Sequence, residues 1–277
     1  MRLSVSDIAW DPSEDQNALK ELARLGVDGV EIAPTIVWPG WEGANVDNAM
    51  RYRHRVADAG LVCSSIQAIL FGRRGLSLFG DKSEFQTLQE HMALVADISA
   101  ALGARVAVFG SPANRRRGEL SAETAMQIAT ERLRAIGDIF AAATSLLCIE
   151  PNPPEYGCDF ITTAEEAVEL ARLVDSDGFG VHLDAGALIL SGGDLEGSIR
   201  QTAPVLEHFH ISQPNLLAFD THDPRHFVLG AALRTVRYKG WRSIELRPPA
   251  DGLDHLAPAV ALARAAYAES NAAVESR

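Results

Sequence analysis

No run of eighteen apolar residues occurs in the 277-residue chain, so the sequence offers no transmembrane helix. Its first residues, Met1-Arg2-Leu3-Ser4-Val5-Ser6-Asp7, lack the long apolar stretch of a signal peptide and read directly as a strand. Excess positive charge is missing too. The formal net charge of −12 at pH 7 repels a phosphodiester backbone, which removes non-specific nucleic-acid binding from the function classes and leaves no nucleic-acid partner. Cysteine is scarce: Cys63, Cys148 and Cys158 are three in number, without metal-type spacing, and two fall in apolar strands. They read as reduced structural thiols, which places the protein in the cytoplasm, away from any membrane. Two further features are absent. No Pro/Gly-rich linker or composition break divides the chain, and Asp7-Ile8-Ala9-Trp10-Asp11-Pro12, after the first strand, carries no glycine-rich phosphate loop of the kind an open doubly wound sheet uses.

What is present is ample apolar content, 47 % against 22 % charged residues, enough for a large core. The pattern alternates without interruption between short apolar runs and longer segments of helical periodicity. Strands are expected over 3–8, 27–32, 61–67 and 105–109, and then in four runs ending at Glu150, Asp184, His210 and Glu245. Helices follow each of them, among them 13–25, 47–59 capped by Asp47, 84–102 stopped by Gly103, a segment from Ser121 to about Ala143, 164–174, a short one ending near Thr202 after Gly192-Gly193-Asp194, 226–238 and 253–269. Eight such units demand a parallel sheet closed on itself, so the fold class is α/β, a single (β/α)8 barrel over 1–269 with a polar tail, 270–277. A homo-oligomer is left open.

In such a barrel every strand ends on the same rim, where catalytic groups collect. Glu150, Asp184, His210 and Glu245 close strands five to eight at intervals of 34, 26 and 35 residues, one strand-helix unit each. Three carboxylates brought together raise one another's pKa, and a divalent cation resolves that conflict. One divalent metal ion held by Glu150, Asp184, His210 and Glu245 is therefore expected. Three oxygen donors with one imidazole suit Mn²⁺ best, with Mg²⁺, Co²⁺ and Zn²⁺ as competitors. His182 and His208, two residues before ligands, point to the same side one layer deeper, either as supports for the carboxylates or as core histidines. Gln67, Asn152, Glu155, His182 and Arg247 are the candidates for contact with substrate. Arg73, Arg74 and Arg115 to Arg117 lie in loops after strands three and four, so Arg73, Arg115 and Arg116 are candidates for binding an anion, with solvated loop charge as the other reading. Trp38 and Trp41 either line a pocket or pack their loop down, and His222 and His226 are placed to reach the barrel mouth, with the start of a helix as the other reading for His226.

The segments Cys148-Ile149-Glu150-Pro151-Asn152, His182-Leu183-Asp184-Ala185-Gly186, His208-Phe209-His210-Ile211-Ser212 and Gly240-Trp241-Arg242-Ser243-Ile244-Glu245 resemble the sugar phosphate isomerase/epimerase family. That family has a xylose-isomerase-like TIM barrel and is related to ketose 3-epimerases and, more distantly, endonuclease IV. The resemblance covers nearly the whole chain, including Ser64-Ser65-Ile66-Gln67-Ala68 and Phe109-Gly110-Ser111-Pro112. It implies a Glu-Asp-His-Glu metal site that holds two oxygens of a keto sugar, with Glu150 and Glu245 as catalytic residues exchanging the proton beside the carbonyl from opposite faces. A small-molecule carbohydrate is then the partner, and a metal-dependent isomerase or epimerase the expected enzyme. The chain departs from the family's pattern at Ala187, where a histidine is common three residues after the aspartate, and at Ser212-Gln213-Pro214-Asn215-Leu216-Leu217, which lacks the epimerases' arginine. These departures keep two alternatives in view: a metal-dependent keto-sugar or keto-inositol dehydratase or lyase, and a barrel that binds a sugar or a partner without turnover.

Overall fold

The protein is seen as a computed structural model that describes residues 1–219, 223–248 and 252–268. Eight parallel strands, β1 (Arg2–Ser6), β2 (Gly29–Ile32), β3 (Val62–Ile66), β4 (Val106–Phe109), β5 (Leu146–Ile149), β6 (Phe179–Asp184), β7 (Leu206–Ser212) and β8 (Trp241–Glu245), close in sequence order, with β8 pairing β1. Each strand is buried along nearly its whole length, because barrel interior and helical jacket cover both faces. The expected (β/α)8 barrel is the fold found.

Ten α-helices lie among the described residues: α1 (Asp15–Arg24), α2 (Pro34–Val37), α3 (Val46–Asp58), α4 (Lys82–Leu102), α5 (Ala122–Ala142), α6 (Ala164–Val174), α7 (Ala185–Ser191), α8 (Leu195–Thr202), α9 (Pro224–Thr235) and α10 (Leu256–Tyr267). Their ends follow local chemistry. Asp81 caps α4 through the amides of Ser83 and Glu84 while Glu84 returns a bond to the Asp81 amide, and Gly103, at φ 74°, stops the helix in the left-handed conformation open to glycine. Ser121 and Thr163 cap α5 and α6. Several starts shift by two or three residues from expectation, and two further differences have a clear local cause. Asn45, not Asp47, caps α3, since its side chain reaches the Asn48 amide. Helix α7 begins directly after β6, with Asp184 closing the strand and capping the helix at once.

Trp38 and Trp41 are both buried and hold their loop down: the Trp41 indole donates to the Phe71 carbonyl at 2.9 Å and packs edge-on against His91. His226 lies inside α9 and not at the mouth, joined to the Tyr267 hydroxyl at 2.7 Å and to the Gln213 side chain at 3.1 Å. All three cysteines are buried and none forms a disulfide. His222 and the 270–277 tail lie outside the described residues. Among the described residues no helix is long and apolar enough to cross a membrane.

Candidate metal and proton-transfer site

Register decides which side chains meet. Asp184 on β6 pairs with His210 on β7, and Ser212 pairs with Glu245 on β8; alternation then puts Asp184, His210 and Glu245 on the barrel-facing side at one rim. Donor atoms of these three residues all lie within 4.8 Å of one another, and each residue is buried. His210 Nδ1 faces a Glu245 carboxylate oxygen at 3.1 Å. Asp184 is fixed on both oxygens, one accepting from the Ala187 amide at 2.6 Å and the other from the Ser212 hydroxyl. Gln67, at the end of β3, donates from its amide nitrogen to Glu245 and to the Ser6 hydroxyl, each at 2.8 Å, and so orients that carboxylate.

Glu150 stands just after β5 at the same rim, outside the tight three-residue group. Its carboxylate lies over Gly110, where any Cβ would collide with it, so the glycine at the end of β4 makes the room. Asn152 is buried beside it, its amide directed at the Gly110 and Glu150 carbonyls at 3.3 and 3.4 Å. Burial, and then the negative charge of Asp184, pushes the Glu150 carboxyl up to about 8. Asp184 is raised to about 6 by burial and by Glu245. Carboxylates this destabilised as anions call for a cation among them.

One layer below sits a residue that sequence reading passed over. Glu31 of β2 is completely buried, and accepts from His208 Nε2 at 2.8 Å, His210 Nε2 at 2.9 Å, the Ser65 hydroxyl at 2.7 Å and the Ser243 hydroxyl at 3.1 Å. Burial alone would raise its carboxyl; the charge on His210 and the hydrogen bonds from both histidines outweigh it and hold Glu31 well below the usual carboxylate range. Burial likewise works against a charged His210, but Glu31 and Glu245 hold it well above the usual imidazole range. With Nε2–H donated to Glu31, Nδ1 of a neutral His210 presents its lone pair towards Glu245. Two acceptors facing each other at 3.1 Å are stable only with a proton or a metal ion between them. The donor set therefore fits a divalent cation. A signal for Glu31 existed: an acid inside an apolar strand is rarely left without a partner.

His182 is displaced from its expected substrate role. It is fully buried under the rim, with its ring 4.1 Å from that of His210 and 5.3 Å from that of His208, and its basicity is lowered well below normal by burial and by these two neighbours. His182, His208 and His210 form a second compact donor group, but Glu31 already engages Nε2 of the latter two. Arg115 corrects a second expectation. Its side chain is entirely buried and donates to the carbonyls of Gly110, Glu150, Phe160 and Ile161, so it braces the loops after β4 and β5 and is unavailable to a soluble anion. Arg73 and Arg116 are exposed; Arg73 leans on His91 at 3.4 Å and over the Trp41 ring. Glu155 and Arg247 are exposed as well, and among the described residues no side-chain hydrogen bond or ion pair joins either to the cluster. Beside Glu155, Tyr156 is half-buried, and its hydroxyl accepts from the Asn215 amide at 3.0 Å, tying the loop after β5 to that after β7.

A family model described as xylose isomerase-like TIM barrel matches residues 19–264. The chain belongs to that family. Solved structures of similar shape support the fold. A D-psicose 3-epimerase in the presence of D-fructose has TM-score 0.79 and 17 % identity, covering 97 % of this chain and 100 % of that one. A 3-keto-D-glucoside 4-epimerase from E. coli gives 0.77 and 15 %, covering 96 % and 99 %. An AP endonuclease, family 2, from Brucella melitensis gives 0.74 and 20 %, covering 93 % and 99 %. No curated protein matches significantly. Members of this family share the barrel, so what an individual member does rests on the side chains at its rim.

Proposed function

We propose that this member of the xylose isomerase-like family is a divalent-metal-dependent sugar epimerase or isomerase, acting on a keto sugar or sugar derivative in the cytoplasm. One observation carries the reading: Asp184, His210 and Glu245 converge within 4.8 Å at the rim where the strands end, with Glu150 beside them at the end of β5. Three buried thiols without a disulfide accord with a reducing compartment. Epimerases among the similar structures point to the same chemistry.

Glu150, Asp184, His210 and Glu245 would hold the ion, with Mn²⁺ the best match to three carboxylates and one imidazole. When bound, the metal supplies Lewis acidity to a substrate carbonyl, making the neighbouring C–H acidic. The protein's part is proton transfer and orientation. One of Glu150 and Glu245 takes the proton from that carbon, and the other returns one to the opposite face. A carboxylate on each side of the reacting carbon can take the proton from one face and return one to the other. Gln67 keeps Glu245 aimed, Ser212 and the Ala187 amide keep Asp184 aimed, and Glu31 fixes which nitrogen of His210 faces the ion.

The test is to load protein purified without chelators with Mn²⁺ and incubate it with a panel of keto sugars in deuterated water. Deuterium in recovered sugar at the carbon beside the carbonyl is the expected result. Water loss from the substrate would reassign the site to a dehydratase. Absence of any bound or restorable divalent ion would overturn the reading.

A further inference from the structure

At the opposite end of the barrel lies a cavity of about 790 Å³ that the proposed chemistry does not use. Its walls include the first residues of β1, β3, β4, β7 and β8, so it opens where strands begin, roughly 15 Å from the carboxylate rim by strand length. In a chain of net charge −12 its lining is strongly basic: Arg2, Arg53, Arg105, Arg237 and Lys239, with Glu207 the one carboxylate on the wall among the described residues.

None of the four guanidinium groups makes a hydrogen bond or ion pair among the described residues, although two are held in place by other means. Arg2 lies over the Trp241 ring at 4.2 Å, and Arg53 rests against the backbone of Gly103, within 3.1 Å of where a Cβ would stand. The cations form two arcs. Arg2, Arg237 and Lys239 come from the β8–β1 side, and Arg53 and Arg105 from the α3–β4 side. Between them Leu61, Cys63, Val106 and Leu206 make a buried apolar floor. Positioned guanidinium groups without carboxylates recognise phosphoryl oxygens bidentately, and two separate arcs require a ligand with more than one such group. The volume suits a molecule of nucleotide size.

We propose that this cavity is a binding site for a small oligophosphate, either a free polyphosphate or the phosphate chain of a nucleotide, separate from the metal centre. Isothermal titration of metal-loaded protein with sodium tripolyphosphate and with adenosine triphosphate tests it. Saturable binding of at least one probe, weakening as salt is raised, is expected. Tighter binding of the nucleotide would assign the apolar floor to the nucleoside, and equal binding would assign the site to the polyphosphate alone. In the double variant Arg53→Ser/Arg105→Ser the dissociation constant should rise about tenfold or more, as it should in Arg237→Ser. All three positions are exposed, and an unchanged thermal melt verifies that the variants fold. The variant Arg73→Ser/Arg116→Ser, at the other rim, should bind as the parent does. Affinity unchanged by the cavity substitutions, loss of binding in the Arg73/Arg116 variant, or a heat signal that vanishes once the metal is removed would each overturn the proposal, the last because it marks chelation of the ion.

Discussion

The two mouths of the barrel are built on opposite electrostatic plans. At the strand ends, acids and imidazoles are locked into one another through Glu31, Gln67 and Ser212, and the negative charges of Glu150 and Asp184 are destabilised by burial and by one another. At the strand starts, arginines stand exposed around an open cavity, Arg2 against an aromatic ring and Arg53 against a glycine backbone, without a carboxylate partner among the described residues. The difference shows how one closed sheet separates two chemistries. Parallel strands all deliver their carboxyl ends to one side, so the proposed metal centre and the proposed anion site can coexist in an acidic chain without neutralising each other.

The contrast can be broken most severely at the carboxylate rim. Glu150→Gln or Glu245→Gln should lower kcat by about 100- to 10,000-fold, the contribution typical of a positioned acid or base, whereas Arg53→Ser at the other mouth should leave kcat unchanged. Proton exchange followed in deuterated water measures both. Arg115→Ala should cost about 3 kcal/mol of stability, because it removes the donors of four loop carbonyls and leaves a void; urea titration reads this, and Arg116→Ala next door should change little. In Glu31→Gln, Mn²⁺ affinity should fall about 10- to 100-fold with the fold retained, measured by metal titration, since a carboxamide no longer enforces the His210 tautomer.

The smallest effect concerns pH. His226 is buried and its basicity is lowered from 6.5 to about 4, first by desolvation, while Asp223 opposes the shift. Between these values the unfolded chain binds the proton and the folded one does not. Stability from this group is thus present above pH 6.5 and is lost as pH falls towards 4. Thermal melts across that range should show a shallower acid slope in His226→Gln than in the parent protein.

Much of the rim is legible in the amino-acid order alone. Glu150, Asp184, His210 and Glu245 each end an apolar run, and a repeating strand-helix unit needs no tertiary information to place four strand ends on one side. Glu31 is not legible as a partner of His210, because the two are 179 residues apart and only barrel closure sets them at 2.9 Å. Arg115 looks like its neighbours Arg116 and Arg117 in sequence, yet the turn after β4 points it inward under the carbonyls of Phe160 and Ile161. Helix α7 is hidden because Asp184 serves as strand end and helix cap together, a double use that no periodicity marks.

By itself, then, the sequence determined the barrel, the order of its units and the residue types at its catalytic rim, because alternation of short apolar runs with helices leaves a parallel sheet few other ways to close. Tertiary structure alone decided which donors touch. The Glu31–His210 pair, the burial of Arg115 and the two arcs of arginines at the far mouth depend on distances between segments that the chain separates widely, and charge, unlike periodicity, takes its energy from those distances.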